Sequence, residues 1–585
     1  MVLLFLDVVA SFDRMSETRS RLELTSILSE LFQTAGSDIK NLVYLIQGKL
    51  APDYVGIELG LADNMIMDAI SRITGENVEK IKELYAATGD LGTTASEMLV
   101  TKPQTTLFNE ELTVERVHSS LISISKLRGS GSSASKTRIL MDLLLSSTSR
   151  EAKYLVRIAL GKIRLGVSDA TILSGLCQAF APEQDTEPIE LGYNFHPDLG
   201  EIAVLLQSGN LEKVISMGPT PLIPARVMLA ERLPEISGII AKMEGKAAFE
   251  YKYDGLRSQI HILNGEVVIY SRSSENTTES FPDIVDAVRK TFDCKSCILD
   301  GEAVPYNPET GELYPFQMVS LRRGRIYEME KARKDIPVAV FLFDILYLNG
   351  RPLNNLPYSE RRDILEEAFT PNENLRLASR IISDDPKEIA DFMDQAISDG
   401  CEGLVAKKVA ADSIYRAGAR GWLWIKLKKD YQSEFSDSLD LVVIGAFYGH
   451  GRRKGTFGAL LMAAYNKEDD TFESICKLGT GFSDDLLVKL PEILGDLKQN
   501  DKPARVISDM IPDVWIYPGK VMEIIGAEIT ISPIHRCAYN VVKEKAGLAV
   551  RFPRFTGKFR DDKTPESATS TSEVIEMFRN QKKKS

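Results

Sequence analysis

The sequence predicts a multidomain protein with an all-α N-terminal domain, an α+β middle domain and an all-β C-terminal domain. Its 585 residues are too many for one hydrophobic core. Apolar residues recur at helical spacing up to about residue 215, strands and helices mix in the middle, and short strand-like runs with glycines dominate from about residue 431. We therefore expect domains at 1–215, 216–430 and 431–566, followed by a C-terminal helix and tail at 567–585.

The first domain is predicted to be helical because its apolar residues fall on single helix faces. The segments 20–32 and 150–166 show this spacing, and in the second one Ala152, Leu155 and Ile158 lie on one face. The apolar start of the chain lacks a basic leader and is interrupted by an aspartate. We interpret it as a buried element and not as a signal peptide.

The middle domain begins after a Pro-rich joint, MGPTPLIP at 217–224. Two alternating segments, 258–262 and 266–271, flank Asn264-Gly265, a pair that favours a two-residue hairpin turn. Further strands are predicted at 247–253, 338–346 and 403–407.

The C-terminal domain begins with a strand-like run at Leu439, and short strands with glycines continue to about Phe555, which predicts a small barrel. The segment 570–585 is predicted to be a short helix with a lysine tail.

The composition is that of an ordinary soluble globular protein, with 44% hydrophobic and 26% charged residues. No apolar run reaches the roughly 18 residues that a membrane span needs, so no membrane partner is expected. Cys294 and Cys297 form a CxxC without a second pair at zinc-site spacing, so we interpret the six cysteines as structural or incidental thiols in a reducing cytoplasm.

The formal net charge of −12 is unfavourable for binding a polyanion unless cations gather locally. Basic runs occur at 426–429, 452–454, 551–560 and 582–584. Each run alone is more often a solvated face than a binding site.

The string EYKYDGLR at 250–257 carries the clearest chemical signal. A lysine amine attacks a phosphorus atom only when it is deprotonated, and its reference pKa is about 10.4, so it needs desolvation or neighbouring cations. A strand that ends in Asp-Gly places Lys252 at the lip of a pocket, and Arg257 supplies charge near a phosphate. A KxDGxR match by itself arises by chance too often to decide the function.

Further motifs follow in order: SRSS at 271–274, LDGEA at 299–303, FLFDIL at 341–346, CEGL at 401–404, WIKLKK at 424–429 and RDDK at 560–563. With these motifs the chain resembles the ATP-dependent DNA ligase family, especially its archaeal and eukaryotic replicative members, over nearly its whole length. The resemblance implies sealing of nicks in duplex DNA, 3′-hydroxyl to 5′-phosphate, through a covalent lysyl-AMP, in replication, repair and recombination. It also implies a helical DNA-binding domain, an α+β nucleotidyltransferase domain with an ATP-grasp-like adenylation fold, and a C-terminal OB-fold.

The resemblance assigns the nucleotide site residue by residue. Lys252 matches the adenylylated nucleophile and Glu250 the acid that meets the adenine amino group. Phe343 matches the aromatic ring that stacks on adenine, although packing in the core is an alternative. Glu302 and Glu402 match the two acidic motifs, and carboxylates from separate strands suit Mg²⁺.

The remaining nucleotide-binding candidates are cations. Strand alternation places Lys426 and Lys428 on one face, and they match the motif that holds the α-phosphate. Arg272 matches a contact to ribose or to the 5′-phosphate of the nick. The resemblance also places Arg257 and Arg420 near the nucleotide, and Arg560 and Lys563 at the pyrophosphate of ATP.

The first domain carries the family's DNA-binding pattern, which includes GSGSSASK at 129–136. The candidates for contacts to the DNA backbone are Ser132, Lys136, Lys162 and Arg164. A flexible connector is the alternative for the Gly/Ser segment. Gln104 to Phe108 resembles a shortened sliding-clamp-binding box, with an ordinary loop as its alternative. We expect a monomer.

Three other classes of protein share part of this pattern. An RNA ligase or a capping guanylyltransferase shares KxDG chemistry but lacks the helical N-terminal pattern. An NAD-dependent ligase is disfavoured because its four-cysteine zinc module is missing. A noncatalytic DNA-binding scaffold would be expected to lose at least one of Lys252, Glu302, Glu402 and Lys426, and all four are present.

Overall fold

The computed structural model describes residues 2–100, 111–129, 131–308, 311, 313–314, 316–320, 322, 336–428, 438–449, 456–526, 528–551 and 553–584. The chain forms two compact units. One unit comprises Met1–Ile81 and Gly92–Lys429, and the other comprises Lys82–Leu91 and Asp430–Ser585. This division does not test the predicted domain bounds, which stay predictions. Of the helices in the described ranges, none is both long enough and apolar enough to cross a membrane.

The N-terminal region is helical, as predicted. Helices α1 to α13 span Phe5–Glu17, Arg21–Thr34, Ile39–Ile46, Asp63–Thr74, Val78–Thr88, Leu91–Met98, Val114–Lys126, Ser132–Ser146, Ser149–Ala159, Asp169–Phe180, Thr186–Phe195, Leu199–Gln207 and Leu211–Ile215. The apolar start of the chain forms α1, in which Phe5, Val8 and Phe12 are buried. The prediction of a buried element at this end is confirmed.

The predicted helix at 150–166 was too long. Helix α9 begins after a capping box, in which the Thr148 and Glu151 side chains accept hydrogen bonds from each other's backbone N–H groups. It ends at Ala159, because Gly161 and Arg164 have φ values of 64° and 59°, which an α-helix does not accommodate.

Two sheets form the centre of the middle region. Strands β1 to β11 span Leu229–Arg232, Ala247–Lys252, Leu256–Leu263, Glu266–Ser271, Ser296–Pro305, Val338–Leu348, Arg351–Pro352, Leu375–Leu377, Arg380–Ser383, Gly403–Lys408 and Arg420–Lys428. The first sheet has the order β1-β11-β10-β2-β9, and the second has the order β4-β3-β5-β6-β7, with β8 paired to β6. Helices α14 to α18 span Ile236–Met243, Pro282–Thr291, Phe316–Ser320, Tyr358–Ala368 and Pro386–Ser398.

The predicted hairpin is confirmed. Strands β3 and β4 pair from Ser258↔Ser271 to Leu263↔Glu266, and the turn residues Asn264 and Gly265 have φ values of 49° and 84°. Two consecutive positive φ values are typical of a type I′ turn, whose twist matches that of the strands.

The Pro-rich joint is held against this hairpin. Leu222, whose φ is 68°, donates its backbone N–H to Nδ1 of His261 at 3.0 Å, and its carbonyl accepts from the Tyr270 hydroxyl at 2.7 Å. Nε2 of His261 lies 2.9 Å from Oε1 of Gln259. Because Nδ1 accepts, the proton of neutral His261 lies on Nε2 and is donated to Gln259.

The C-terminal region is rich in strands but is not all-β, so that part of the fold prediction was wrong. Strands β12 to β21 span Leu439–Tyr448, Phe457–Asn466, Thr471–Leu478, Lys498–Gln499, Val506–Ile507, Val514–Ile516, Val521–Ile525, Glu528–Ser532, Gly547–Arg551 and Arg554–Phe559. Helix α19, Asp484–Ile493, lies between them. Ser483 caps it, and Leu487 and Leu490, three residues apart, are buried in the core of this unit. The predicted terminal helix is α20, Thr571–Lys584.

Candidate active site

Three neighbouring strands of the first sheet bring the predicted nucleotide residues onto one face. Residues directly opposite each other across paired strands lie on the same face. The register pairs Lys252 with Gly403 and Gly403 with Lys428, and the next row contains Glu250, Val405 and Lys426. The prediction that Lys426 and Lys428 share a face is confirmed.

Gly255 explains why the nucleophile motif requires glycine. A Cβ at this position would lie 2.4 Å from the carbonyl oxygen of Ala303 and 3.0 Å from Cγ of Glu302. The absence of a side chain therefore lets the turn after β2 approach β5 closely. This approach brings the strand that carries Lys252 next to the strand that carries Glu302.

Lys252 lies between a carboxylate and a second lysine. Its Nζ is 2.8 Å from Oε2 of Glu402, and Lys428 forms an ion pair with the same oxygen. The Lys252 side chain is 23% exposed, which leaves it accessible to a ligand. Burial by itself would raise the pKa of Glu402, but the charges of Lys252 and Lys428 outweigh it and lower that pKa to about 2.

Glu302 experiences a different environment. It lies on β5 opposite Arg257 of β3. Burial, with additional repulsion from Asp300 and Glu402, raises the pKa of Glu302 to about 7, although Lys252 and Arg257 oppose the shift. The two acids assigned by the resemblance therefore lie within each other's electrostatic influence.

Glu302 and Glu402 suit a magnesium ion, which needs few protein ligands, better than a metal ion whose ligands all come from the protein. Within the described ranges, no group of three or more His, Cys, Asp or Glu residues is arranged to hold a metal. Mg²⁺ is usually held by one or two carboxylates together with phosphate oxygens and water. Glu302 is partly buried, and its raised pKa indicates a poorly compensated charge of the kind that such a cation would neutralise.

A group of cations surrounds the same face. Burial lowers the pKa of Lys426, and the like charges of Arg420, Lys428, Lys252 and Arg272 lower it further. Arg272 and Arg420 are exposed. A concentration of positive charge of this kind suits a polyphosphate.

Arg257 forms an ion pair with Asp300, an acid that the sequence analysis did not assign to the site. Its Nε and Nη2 donate to the two carboxylate oxygens of Asp300 at 3.0 and 2.6 Å, and its Nη1 donates to the Met228 carbonyl at 2.9 Å. Its guanidinium carbon is 5.3 Å from the centre of the Phe343 ring. The structure therefore places Arg257 beside the ring proposed to stack on adenine, within a bidentate ion pair.

Glu250 is almost entirely enclosed, with 2% exposure. Its Oε1 accepts from the Tyr358 hydroxyl at 2.5 Å and from Nη1 of Arg362 at 3.2 Å, while its Oε2 lies 2.5 Å from Nζ of Lys407. Sequence analysis missed Tyr358 and Arg362. Both lie on α17, and no motif in the sequence joins that helix to Glu250.

In the C-terminal unit, Arg560 and Lys563 converge on one carboxylate. Nη1 of Arg560 donates to both oxygens of Asp440 at 3.0 and 2.8 Å, and Nζ of Lys563 lies 2.7 Å from Oδ2. Arg560 also pairs with Asp562 at 2.8 Å. Sequence analysis missed Asp440. The available signal was its position as an acid inside an apolar strand.

The DNA-binding candidates lie on two segments of the N-terminal region. Ser132 begins α8 after Gly131, whose φ is 82°. Lys136, one turn later, donates to the Leu59 carbonyl at 2.7 Å. Lys162 and Arg164 are exposed and alternate with the buried Ile163 and Leu165 in the segment that follows α9. The clamp-box segment 104–108, Lys429 and the basic run 452–454 lie outside the described residues.

Comparisons with known proteins cover most of the chain. Residues 4–177, 227–428 and 453–563 match the family models described as DNA ligase N terminus, ATP dependent DNA ligase domain and ATP dependent DNA ligase C terminal region. Among relatives, the DNA ligase of Thermoplasma volcanium is 56% identical over 98% of each chain, and DNA ligase 2 of Thermofilum pendens is 46% identical over 98% of this chain and 97% of its own.

A solved structure named "Pmar-Lig_Pre." shares the fold at 17% identity, with a TM-score of 0.56 over 94% of this chain and 99% of that one. The family models and the relatives account for the helical N-terminal domain, the central adenylation domain and the C-terminal domain. The chain therefore belongs to the ATP-dependent DNA ligase family, whose members seal nicks in DNA.

Proposed function

We propose that the chain seals single-strand nicks in three phosphoryl transfers, with Lys252 as the covalent carrier of AMP. The observation that carries the proposal is the convergence of Lys252, Glu402 and Lys428 at the end of β2, with Nζ of Lys252 2.8 Å from the carboxylate. The Lys252 amine attacks the α-phosphorus of ATP, the bond to the β-phosphate breaks, and pyrophosphate leaves. A phosphoramide to AMP remains on Lys252.

The second and third transfers use the same site. The 5′-phosphate of the nick attacks the lysyl-bound AMP and frees the lysine, and the 3′-hydroxyl then attacks the activated 5′-phosphate and expels AMP. Mg²⁺, which Glu302 and Glu402 would hold, supplies charge neutralisation at phosphate oxygens. Glu402 lies 2.8 Å from Nζ of Lys252, and the charges of Lys252 and Lys428 lower its pKa and make it a poor proton acceptor, so we assign it to orienting that amine.

The remaining candidates take positional roles in this proposal. Glu250 and Phe343 receive adenine, Lys426 and Lys428 hold the α-phosphate, and Arg272 receives ribose or the 5′-phosphate. Arg257 and Arg420 act beside the nucleotide. Arg560 and Lys563, which Asp440 orders, bind the departing pyrophosphate.

We also propose that the domains span 1–215, 216–430 and 431–566, and that the last is an OB-fold. The antiparallel succession β12-β13-β14, joined through β18 to β21, supports that fold. Nicked duplex DNA is the acceptor, with Ser132, Lys136, Lys162 and Arg164 at its backbone. A monomer in the cytoplasm, with a sliding clamp as partner through 104–108, completes the proposal.

Incubation with α-labelled ATP and Mg²⁺ tests the first step. The wild-type chain should become labelled, Lys252→Ala should not, and Lys408→Ala should behave as the wild type. Lys408 is a suitable control because it follows Lys407 on β10 and pairs with Glu244 and Asp412, away from the proposed site. Labelling of Lys252→Ala to the wild-type extent would contradict the assignment.

The acceptor is tested with nicked DNA and nicked RNA of the same sequence. We expect sealing of the DNA substrate with ATP as the nucleotide. Preferential sealing of nicked RNA would favour the RNA-ligase alternative, and transfer of GMP from GTP would favour a capping enzyme.

A further inference from the structure

Lys407 is a buried cation that the proposed reaction leaves without a role. It is 1% exposed and lies on β10, between Ala248 of β2 and Trp424 of β11 in the same row of the sheet. It therefore belongs to the face that carries Lys252 but lies at the opposite end of β2. Burial lowers the pKa of its ammonium group, although the charge of Glu250 opposes the shift. Such a group needs a partner and finds it in Glu250.

Lys407 contacts both residues proposed to receive the purine. Its Nζ lies 2.5 Å from Oε2 of Glu250 and 4.5 Å from the centre of the Phe343 ring. The rings of Trp424 and Tyr358 surround the same nitrogen at 4.4 and 5.0 Å. These distances are typical of cation–π contacts, which fix the ammonium group in place.

The contacts of Glu250 determine what its carboxylate can still bind. An ionised carboxylate only accepts hydrogen bonds and has about four acceptor positions. Tyr358 and Arg362 occupy Oε1, and among the described residues Lys407 alone occupies Oε2. The acceptor position left on Oε2 matches a donor such as an exocyclic amino group and repels a carbonyl oxygen.

We propose that Lys407 is a positioning residue for base selectivity, which holds Glu250 as an acceptor and supports Phe343 so that the site prefers a 6-amino purine to a 6-oxo purine. The inference rests on the proposed adenylylation of Lys252. Without the ammonium group, Oε2 loses its donor and the carboxyl group gains freedom to rotate. The site then discriminates less between the 6-amino group and the 6-oxo group of a purine, whereas its contacts to the phosphates remain.

The test compares labelling of the full chain by three α-labelled nucleotides: ATP, inosine triphosphate and the triphosphate of unsubstituted purine riboside. The measured quantity is the ratio of the second-order rate constant of labelling with ATP to that with inosine triphosphate. In Lys407→Met, which keeps the length of the side chain, we expect this ratio to fall by about tenfold or more, as hydrogen-bonding sites discriminate strongly between donors and acceptors. Lys408→Met is the matched control and should keep the wild-type ratio.

An equal loss of activity with ATP and inosine triphosphate in Lys407→Met would show a purely structural role and overturn the inference. If that variant does not fold, the wild-type chain still provides a test. Equal second-order rate constants of labelling with ATP and with the purine riboside nucleotide would show that the 6-amino group is not recognised, which also overturns it. Absence of any label on Lys252 with ATP would instead refute the proposed function.

Discussion

His261 should make the middle region sensitive to mild acid. Its imidazole is fully buried, and burial lowers its pKa to about 3. Protonation would place a proton on Nδ1, which accepts the Leu222 N–H, and would break the contact that holds the Pro-rich joint to β3. The unfolded chain has an ordinary histidine pKa of about 6.5 and therefore binds the proton first as the pH falls.

The sign and size of the effect follow from linkage. Because the folded pKa lies below the unfolded one, the contribution of His261 to stability is complete above about pH 6.5. It is lost progressively between that pH and about 3. At pH 4.5, which lies two pH units below the unfolded pKa, the lost contribution corresponds to about 3 kcal/mol, at roughly 1.4 kcal/mol per unit.

Urea unfolding of the wild type and of His261→Asn at pH 7.5 and 4.5 measures this contribution. An asparagine oxygen retains the acceptor for Leu222 but does not titrate. Fluorescence of Trp422 and Trp424 in a Trp515→Phe background would report on the middle region. We expect the wild type to lose about 3 kcal/mol more than the variant between the two pH values. Parallel losses in both proteins would refute the reasoning.

Other predictions test the stability of the middle region and the C-terminal cations. Asp344→Asn leaves the buried Arg361 without its bidentate partner at 2.7 and 2.8 Å, and should lower the free energy of unfolding by about 3–5 kcal/mol; a loss below 1 kcal/mol would contradict this. Gly255→Ala places a Cβ 2.4 Å from a backbone oxygen of β5 and should lower the Tm and the rate of Lys252 labelling together, so a wild-type rate would contradict it. Asp440→Asn removes the carboxylate that orders Arg560 and should slow self-adenylylation at least tenfold while sealing of a pre-adenylylated nick is kept; equal slowing of both would contradict it.

Arg257 and Lys426 differ in how much of their surroundings a local sequence pattern predicts. The shared face of Lys426 and Lys428 is predicted correctly, because residues two positions apart in a strand lie on the same face and this alternation is a local property. Arg257 is just as visible in its motif, but its guanidinium binds Asp300, 43 residues away on another strand. That pairing depends on the register of β3 against β5, which no local pattern encodes.

Sequence alone determined the succession of helical, mixed and strand-rich regions, the hairpin at Asn264-Gly265, the nucleophile motif and the family. These features depend on periodicity, turn chemistry and ordered motifs, all of which act over a few residues. Only the tertiary structure decided that Glu250 is enclosed by Tyr358, Arg362 and Lys407, and that a helix interrupts the C-terminal strands. Such features depend on which side chains from distant parts of the sequence pack together, and this is determined by the tertiary structure and not by any local pattern.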